Sequence, residues 1–288
     1  MGDRSRMTQN PMRTTWTLKD RTLEYSSKIL VMGILNVTPD SFSDGGNFYT
    51  PENALLQAKA LVEDGADILD IGAESTRPGS EKISADEELS RLIPALRIIR
   101  EAVDVPISID TYKSKTAREA LKFGADIIND VWGLLYDPNM AEVVAEAGAG
   151  VVVMANYFDE KIFKRSGDIV DDCLAYFEKS RKVAEAAGIA EEKIMYDPGI
   201  GFGTNTEESI KLIRSIGKIQ GEGYPLLIGP SRKRFVGEIL NGAPALERDA
   251  ATAAVSLYCQ DQKAACVRVH NVFETSTALA MHIALKGE

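Results

Sequence analysis

The chain has 288 residues, of which 44% are hydrophobic and 26% charged, so it has the composition of a globular protein with one large α/β domain or two small ones. No apolar run approaches the roughly 20 residues that span a bilayer, and no apolar segment follows the N-terminal arginines as it would in a secretory signal. The formal net charge of −10 argues against general nucleic-acid binding, which requires a basic surface. We therefore expect neither a membrane partner nor a nucleic-acid partner.

The three cysteines, Cys173, Cys259 and Cys266, are too few and too irregularly spaced for a disulfide framework or a zinc site. A reduced, cytoplasmic location is the simplest interpretation of this pattern. Residues 1–12 are expected to form a flexible lead-in, and residues 13–288 to form one domain.

Eight short and nearly continuous apolar runs follow one another along the chain. Runs of this kind are typical of strands buried on both faces of a parallel sheet, whereas antiparallel strands with one exposed face alternate more clearly. The runs cover residues 28–36, 67–73, 106–111, 127–131, 150–156, 193–199, 225–231 and 265–270.

Helical patterns separate the runs. Thr50-Pro51 predicts an N-cap followed by proline at the first helical position, Ser84 predicts the start of the next helix, and residues 206–219 form an amphipathic stretch. Eight strand–helix units without a flexible linker predict a single (β/α)8 TIM barrel of the α/β class. An open doubly wound sheet is the alternative, and it explains eight units less naturally.

Each apolar run ends in polar residues that are suited to chemistry. The active site of a parallel β-barrel enzyme is built from the C-terminal ends of its strands, so this pattern predicts both the fold and the rim that holds the site. The endings, in order, are Asn36, residues 74–77, Asp110, residues 129–130, Asn156, Asp197, residues 231–233 and residues 268–270.

Positively charged residues gather after the last two strands. The loops after strands 7 and 8 usually bind phosphate in such barrels, and a helix N-terminus adds free N–H donors. Arg268 and His270 are two residues apart on a strand, so their side chains face the same way. Surface charge is the alternative interpretation, mainly for Arg232 and Arg234. The predicted anion site comprises Arg77, residues 231–234, Arg268 and His270.

A second group, Asp110, Asn129 and Asp197, offers hydrogen-bond acceptors near three strand ends. Such groups need partners in a medium of low dielectric, and they suit a planar heterocycle with several N–H donors. Helix caps and hydrogen bonds of the barrel rim are the alternative. Asp70 and Asp130 are interpreted as structural, because alternation turns them away from their neighbours.

Two polar loops, residues 36–46 and 75–79, follow the first two strands, and the first of them is long enough to act as a lid. Asn36 and Asp40 offer oxygens that could hold magnesium beside a diphosphate.

These motifs resemble the dihydropteroate synthase family over residues 28–286. The resemblance implies a pterin-binding TIM barrel that joins 6-hydroxymethyl-7,8-dihydropterin diphosphate to p-aminobenzoate and releases diphosphate, with magnesium as cofactor and a homodimer as assembly. The matching motifs are MGILNVTPDSFSDGG (32–46), DIGAESTRPG (70–79), SIDTYK (108–113), IINDVWG (127–133), DPGIGFG (197–203), GPSRKRF (229–235) and RVH (268–270).

The resemblance also implies a role for individual residues, with Lys233, Asp110, Asp197, Arg268 and His270 as the catalytic group. The implied pterin-binding residues are Asp110, Asn129, Asp197 and Lys233. The implied diphosphate-binding residues are Asn36, Arg77, Arg268 and His270, with magnesium at Asn36. The implied p-aminobenzoate-binding residues are Phe42, Thr76, Pro78, Phe202 and Ser231.

The chain departs from the family pattern at three positions. Ala155 follows Met154 where histidine is usual, Arg234 replaces a small residue, and Asn271 replaces the common aspartate. Ala155 is expected to remove a polar group from the barrel mouth. The alternatives are a pterin-dependent methyltransferase, an aldolase that uses Lys233 as its nucleophile, and a catalytically altered pterin-binding paralogue.

Overall fold

The computed structural model describes residues 13–38, 50–75 and 81–287. The strands are β1 (Thr15–Thr17), β2 (Thr22–Glu24), β3 (Leu30–Asn36), β4 (Ile68–Gly72), β5 (Ile107–Asp110), β6 (Ile127–Asp130), β7 (Gly150–Met154), β8 (Ile194–Asp197), β9 (Leu227–Ile228) and β10 (Cys266–Val269). The α-helices are α1 (Pro51–Glu63), α2 (Ala85–Ala102), α3 (Ser114–Lys122), α4 (Met140–Ala147), α5 (Ile169–Ala187), α6 (Thr206–Arg214), α7 (Ile216–Gly221), α8 (Arg234–Ile239), α9 (Asp249–Asp261) and α10 (Val272–Lys286).

Strands β3 to β10 form one parallel sheet whose two ends meet. The strands pair in the order β8-β7-β6-β5-β4-β3-β10-β9. A parallel bridge between Tyr196 and Leu226 then joins β8 to β9, and the Tyr196 N–H donates to the Pro225 carbonyl at 2.9 Å. The predicted barrel is therefore confirmed, and the doubly wound alternative is wrong because an open sheet would leave these two strands apart.

The eight apolar runs were predicted correctly as strands, because each strand is buried on both faces. Outward side chains form the layer between sheet and helices, where residues such as Leu92 of α2 and Val151 of β7 are inaccessible to solvent. Inward side chains at the N-terminal end form a separate apolar floor that includes Met32 and Leu227. Polar residues occupy the layer above this floor, so the barrel interior changes character along its axis.

An N-terminal hairpin seals the apolar floor, and the sequence patterns did not reveal it. Strands β1 and β2 pair antiparallel, and Trp16 and Leu18 pack against the floor residues with 1% exposure each. The Trp16 indole N–H donates to the Lys193 carbonyl at 2.9 Å, which ties the hairpin to the start of β8.

The predicted helix starts agree with the structure, with differences in detail. The Thr50 and Ser84 hydroxyls cap α1 and α2 by accepting N–H groups of the first turns. The stretch 206–219 forms two helices, because Ser215 ends α6 and starts α7. Within the described ranges, no helix combines the length and the apolar character that crossing a membrane requires. All three cysteines are buried and unpaired.

The loop after β8 contains three glycines with positive φ, and Gly199 makes the closest approach to another segment. Gly199 has φ +73°, and a Cβ atom there would lie 1.7 Å from the Ala155 carbonyl oxygen. The Ala155 N–H also donates to the Asp197 carbonyl at 2.9 Å. The ends of β7 and β8 therefore lie in backbone contact, which fixes the level at which Asp197 enters the barrel.

Replacing Gly199 with alanine should destabilise the fold by about 3–5 kcal/mol, because the methyl group would collide with the Ala155 carbonyl and alanine disfavours this backbone conformation. Gly188→Ala is the matched control: Gly188 ends α5 with φ +83° and has open space around its Cβ position, so we expect a loss of about 1–2 kcal/mol. Urea unfolding measures both, and equal losses would contradict the predicted collision.

Candidate active site

Five polar side chains from five strands meet in the barrel interior, one layer above the apolar floor. Asp70, Asp110, Asn129 and Asp197 are each at most 7% exposed, and Arg268 lies among them. The strand register places two of them side by side, because Asp110 pairs with Asn129, whereas Asp70 pairs with Ser108, two residues before Asp110 on β5. Closure of the barrel brings the five side chains together, so they reach each other from the strands without any loop.

Arg268 is the centre of this layer. Its Nε donates to Asp70 Oδ2 at 2.6 Å and its Nη2 to Asp110 Oδ2 at 2.7 Å. Burial alone would lower the pKa of Arg268, but the two carboxylates outweigh it and raise that pKa above its usual value. The guanidinium is therefore charged at every physiological pH.

The interpretation of Asp70 as a residue turned away from its neighbours is wrong. Asp70 faces the interior and accepts hydrogen bonds from Arg268 and from Asn129 Nδ2, the latter at 3.2 Å. Every residue of β4 is buried, so no polar face marked which way Asp70 points. Asp130 does point outward, and its carboxylate accepts the N–H groups of Trp132 and Leu134 in the following turn.

Two buried carboxylate oxygens in this layer lack hydrogen-bond partners among the described residues: Asp70 Oδ1 and Asp110 Oδ1. An unpaired buried acceptor is costly, so a ligand with N–H groups is the natural partner for Asp110, which is 7% exposed, whereas Asp70 is fully buried. Burial raises the pKa of Asp110 to about 7, while Arg268 opposes this rise and Asp70 adds to it. Asp110 can therefore exchange a proton near neutral pH.

Lys233 reaches the same layer from the loop after β9. Its ammonium donates to the Ile200 carbonyl and lies 4.8 Å from the centre of the Phe202 ring. A Cβ atom at Gly229 would lie 3.6 Å from Lys233 Nζ and 3.8 Å from Asp197 Oδ2, in ordinary van der Waals contact with both, so the two charged groups lie on either side of this glycine. Asp197 Oδ1 accepts the Gly199 N–H at 2.8 Å.

Burial shifts the pKa values of both groups at this corner. It lowers the pKa of Lys233 to about 8 and raises that of Asp197, although each charge partly offsets the shift of the other. The arginines on either side of Lys233 point away from this corner. Arg232 pairs with Asp249, and Arg234 is 72% exposed and pairs with Glu238.

His270 and Ser231 link the ends of the last two strands. The Ser231 hydroxyl lies 2.9 Å from His270 Nδ1 and accepts the His270 N–H at 3.1 Å. Of the predicted anion cluster, the structure therefore brings Ser231, Lys233, Arg268 and His270 to the barrel mouth. Arg234 is a surface charge, as the alternative interpretation had it.

Asn36 lies at the end of β3, on the same rim. Its Oδ1 and the Oδ2 of Asp110 lie on either side of Gly72, at 3.6 and 3.8 Å from the Cβ position of that glycine. No group of three His, Cys, Asp or Glu side chains suited to a metal occurs among the described residues. The predicted residues Asp40, Phe42, Thr76, Arg77 and Pro78 lie outside the described residues.

The departure at Ala155 does not empty the barrel mouth as expected. The Ala155 side chain is fully buried in the layer between the sheet and the helices, on the opposite side of the strand from Met154. Asn156 is also structural, because its amide donates to the Val131 carbonyl at 3.0 Å and its oxygen accepts the Phe158 N–H.

A buried ionic network beside the rim had no signal in the sequence. The Lys113 ammonium bonds Glu74 and Glu88, and the Tyr112 hydroxyl donates to Glu74 at 3.0 Å. These residues follow β4 and β5 or lie on α2, so only the fold brings them together. The network holds the chain in place directly after β4.

Comparison with known proteins shows the family to which this barrel belongs. The family described as pterin binding enzyme matches residues 32–270. The dihydropteroate synthase of Bacillus subtilis (strain 168) is 46% identical over 254 residues, which are 88% of this chain and 87% of that protein. The chain belongs to the dihydropteroate synthase family of pterin-binding enzymes.

Solved structures of this family agree with the fold. A dihydropteroate synthase from Xanthomonas albilineans with 4-aminobenzoic acid superposes with a TM-score of 0.89 and 36% identity, covering 96% of this chain and 99% of that one. A dihydropteroate synthase from Clostridium difficile, solved in the presence of pteroic acid, gives a TM-score of 0.86 and 41% identity, covering 92% and 100%.

The Asp110→Asn variant should lose less folding stability than the wild type as the pH rises. In the unfolded chain this carboxyl ionises near pH 3.8, whereas in the folded protein its pKa is about 7. The folded state therefore holds an extra proton in this window, and its stability falls as the pH rises through it. We expect the difference in unfolding free energy between wild type and variant to change by at least about 1 kcal/mol across the window.

Urea unfolding at several pH values measures this difference. Asp86→Asn, at a side chain that is 80% exposed on α2, is the control for exchanging a carboxylate for an amide outside the barrel. A constant difference between wild type and Asp110→Asn across the window would show that Asp110 titrates as an ordinary carboxyl.

Proposed function

We propose that the protein joins 6-hydroxymethyl-7,8-dihydropterin diphosphate to p-aminobenzoate, giving 7,8-dihydropteroate and diphosphate. This proposal rests on one observation: a barrel of the dihydropteroate synthase family has a buried layer of carboxylates and cations at its mouth. Two carboxylate oxygens in that layer, on Asp70 and Asp110, lack partners among the described residues. A pterin ring presents several N–H donors in one plane and suits the acceptors of Asp110, Asn129 and Asp197.

Asp110, Asn129 and Asp197 are proposed to hold the pterin ring, with Lys233 donating a hydrogen bond to it. The low dielectric around these groups strengthens each hydrogen bond, and the fixed barrel strands position them before the substrate arrives. The pterin is electron-rich, so a ring anchored by carboxylates can delocalise positive charge that develops on its methylene carbon.

Arg268, His270, Asn36 and Arg77 are proposed to hold the diphosphate. Arg268 uses Nε and Nη2 for Asp70 and Asp110, and its Nη1 bonds none of the described residues, so one N–H edge is available for an anion. Fixed cations stabilise the negative charge on the leaving oxygen.

Magnesium fits this site through the Asn36 side chain. That ion prefers hard oxygen ligands and is usually held by one or two protein oxygens together with substrate phosphates. When bound, it would neutralise part of the diphosphate charge. Asn36 Oδ1 would supply the protein ligand.

The reaction is then a substitution at the methylene carbon. The bond from this carbon to the diphosphate oxygen breaks with its electron pair going to the oxygen, and the aryl amine nitrogen forms the new bond. The ammonium that results releases one proton to water. A neutral aryl amine is already nucleophilic, so positioning contributes more than general base catalysis. Phe202 and Ser231, with Phe42, Thr76 and Pro78, are proposed to hold p-aminobenzoate.

The altered-paralogue alternative loses support, because the Ala155 side chain lies outside the barrel mouth. The aldolase alternative retains one observation in its favour, the pKa of Lys233 lowered to about 8. Borohydride trapping of a carbonyl substrate on Lys233 would support it. A pterin-dependent methyltransferase would not require Lys233, Arg268 and His270 together at the barrel mouth.

The buried, unpaired cysteines suit a reducing compartment, and we propose the cytoplasm as the location of the protein.

Turnover of the pterin diphosphate should require both p-aminobenzoate and magnesium, and Lys233→Ala should lower kcat/KM by at least about 100-fold because it leaves the Asp197 charge buried without its cation. Arg234→Ala is the matched control, because this neighbouring cation is exposed and should be replaceable with little effect. Diphosphate release measures the rate. Pterin binding without turnover in the wild type, or near-normal turnover of Lys233→Ala, would contradict the proposal.

A homodimer is proposed from an apolar stripe on the last helix. Phe273, Met281 and Leu285 of α10 are 60%, 62% and 79% exposed, and their spacing in multiples of four puts them on one side of the helix. Tyr258 of the neighbouring helix α9 is also exposed. Large exposed apolar side chains in one patch are typical of a protein interface.

Met281→Glu should therefore convert the dimer to a monomer, because a buried, unpaired carboxylate at the interface is unfavourable. Sedimentation velocity measures the change. Leu56→Glu on α1 is the control, as Leu56 is 67% exposed on a different helix and should leave the dimer intact. A wild type that is monomeric at all concentrations would make the homodimer proposal wrong.

A further inference from the structure

The loops that carry Lys233 and His270 are already linked by the hydrogen bond between Ser231 and His270. The Asp249 carboxylate, at the start of α9 and outside the barrel, links them a second time. Asp249 receives two hydrogen bonds from the Arg232 guanidinium, at 2.8 and 2.7 Å. It also accepts one from the Asn271 amide at 3.3 Å. One carboxylate thus contacts the residue before Lys233 and the residue after His270.

The segment before Lys233 needs such support because its backbone is strained. Arg232 has φ +58°, which residues other than glycine rarely adopt, at a cost of about 1–2 kcal/mol. The Arg248 guanidinium donates to the carbonyls of Arg232 and Lys233 at 3.0 and 3.1 Å. Side-chain hydrogen bonds from α9 and its preceding turn therefore hold the conformation that directs Lys233 into the barrel.

Asn271 holds the segment after His270, and the oxygen and nitrogen of its side-chain amide have different partners. Its oxygen accepts the Glu274 N–H at 3.0 Å and so caps α10. Its nitrogen donates to two carboxylates, Asp249 at 3.3 Å and Glu274 at 3.2 Å. An aspartate at position 271 would still cap the helix, but it would place a third carboxylate beside these two. The charge at Asp249 thus accounts for an amide at a position where aspartate is common in the family.

We propose that Asp249 and Asn271 are positioning residues that set the Lys233 ammonium and the His270 ring at a fixed separation. Neither side chain touches the barrel interior, so they act through Arg232 and through the backbone at His270. The inference rests on the proposed function, in which Lys233 holds the pterin and His270 the diphosphate of one substrate molecule. A change in their separation should then weaken binding of the pterin diphosphate more than binding of p-aminobenzoate, whose proposed contact Ser231 lies beside Arg232 and bonds His270.

Three variants test this proposal: Asn271→Asp, Asp249→Asn and the double variant that carries both. We expect Asn271→Asp to raise the KM for the pterin diphosphate and to lower its kcat/KM about 10-fold, with a clearly smaller change in the KM for p-aminobenzoate. Asp249→Asn should give a loss of similar size. The double variant moves the carboxylate from one helix to the other, so it should recover at least half of the loss on a logarithmic scale.

Asp261→Asn is the matched control. Asp261 lies at the opposite end of α9, where it pairs with Lys286 of α10, so this variant removes a contact between the same two helices far from the site. Its kinetic constants should equal those of the wild type. Thermal unfolding confirms that each variant is folded, which the retained helix cap makes possible for Asn271→Asp.

Direct titration calorimetry with the pterin diphosphate alone separates this inference from the proposed function. A wild type that binds this ligand without turnover refutes the proposed function, and the affinities of the same variants then decide the inference. Unchanged kinetics or affinity in Asn271→Asp would overturn it. Equal losses for both substrates, or a double variant no better than the single ones, would also overturn it, because they indicate general destabilisation.

Discussion

The structure of the site depends on one buried cation, the Arg268 guanidinium between the carboxylates of Asp70 and Asp110. Breaking a buried ion pair by removing one partner typically costs about 3–5 kcal/mol, because the other charge then remains in a medium of low dielectric. Arg268 compensates two such charges at once. It also fixes the orientation of both carboxylates, so each keeps one oxygen directed away from the guanidinium.

The charges of this layer do not balance, and this imbalance gives the layer its chemistry. Three carboxylates, on Asp70, Asp110 and Asp197, face two cations, Arg268 and Lys233. One proton or one set of hydrogen-bond donors from a ligand completes the arrangement, and Asp110 is the site for that proton because burial, together with the Asp70 charge, raises its pKa. A site that is incomplete without its ligand is ready to recognise N–H groups, whereas a fully paired network would only stabilise the fold.

Much of this organisation could be predicted from the sequence, because parallel strands bury both faces and end at one rim. Asp110, Asn129 and Asp197 follow directly from that rule. Asp70 does not, since its partner Arg268 is 198 residues away and only closure of the barrel brings them together. The N-terminal hairpin was missed for a different reason, because strands of three residues are too short to show a period.

The Asp249 network also lies beyond what sequence patterns can reveal. Its members come from a loop, a short helix turn and two helix starts, and none has an apolar period that would mark it. The departure at Asn271 was visible in the sequence, but its physical reason required the position of Asp249. Substitutions relative to a family pattern are therefore best interpreted together with the charges that surround them.

The apolar floor sealed by Trp16 and Leu18 determines the route by which molecules enter and leave the barrel interior. Among the described residues, side chains fill the N-terminal end, so the interior is closed at its base and the polar layer lies toward the C-terminal rim. Water, ions and ligands exchange with the polar layer through the same rim. A molecule bound at the deepest level must therefore enter before any molecule that covers it, and it must leave after that second molecule. The shape of the barrel thus sets the order of binding and release.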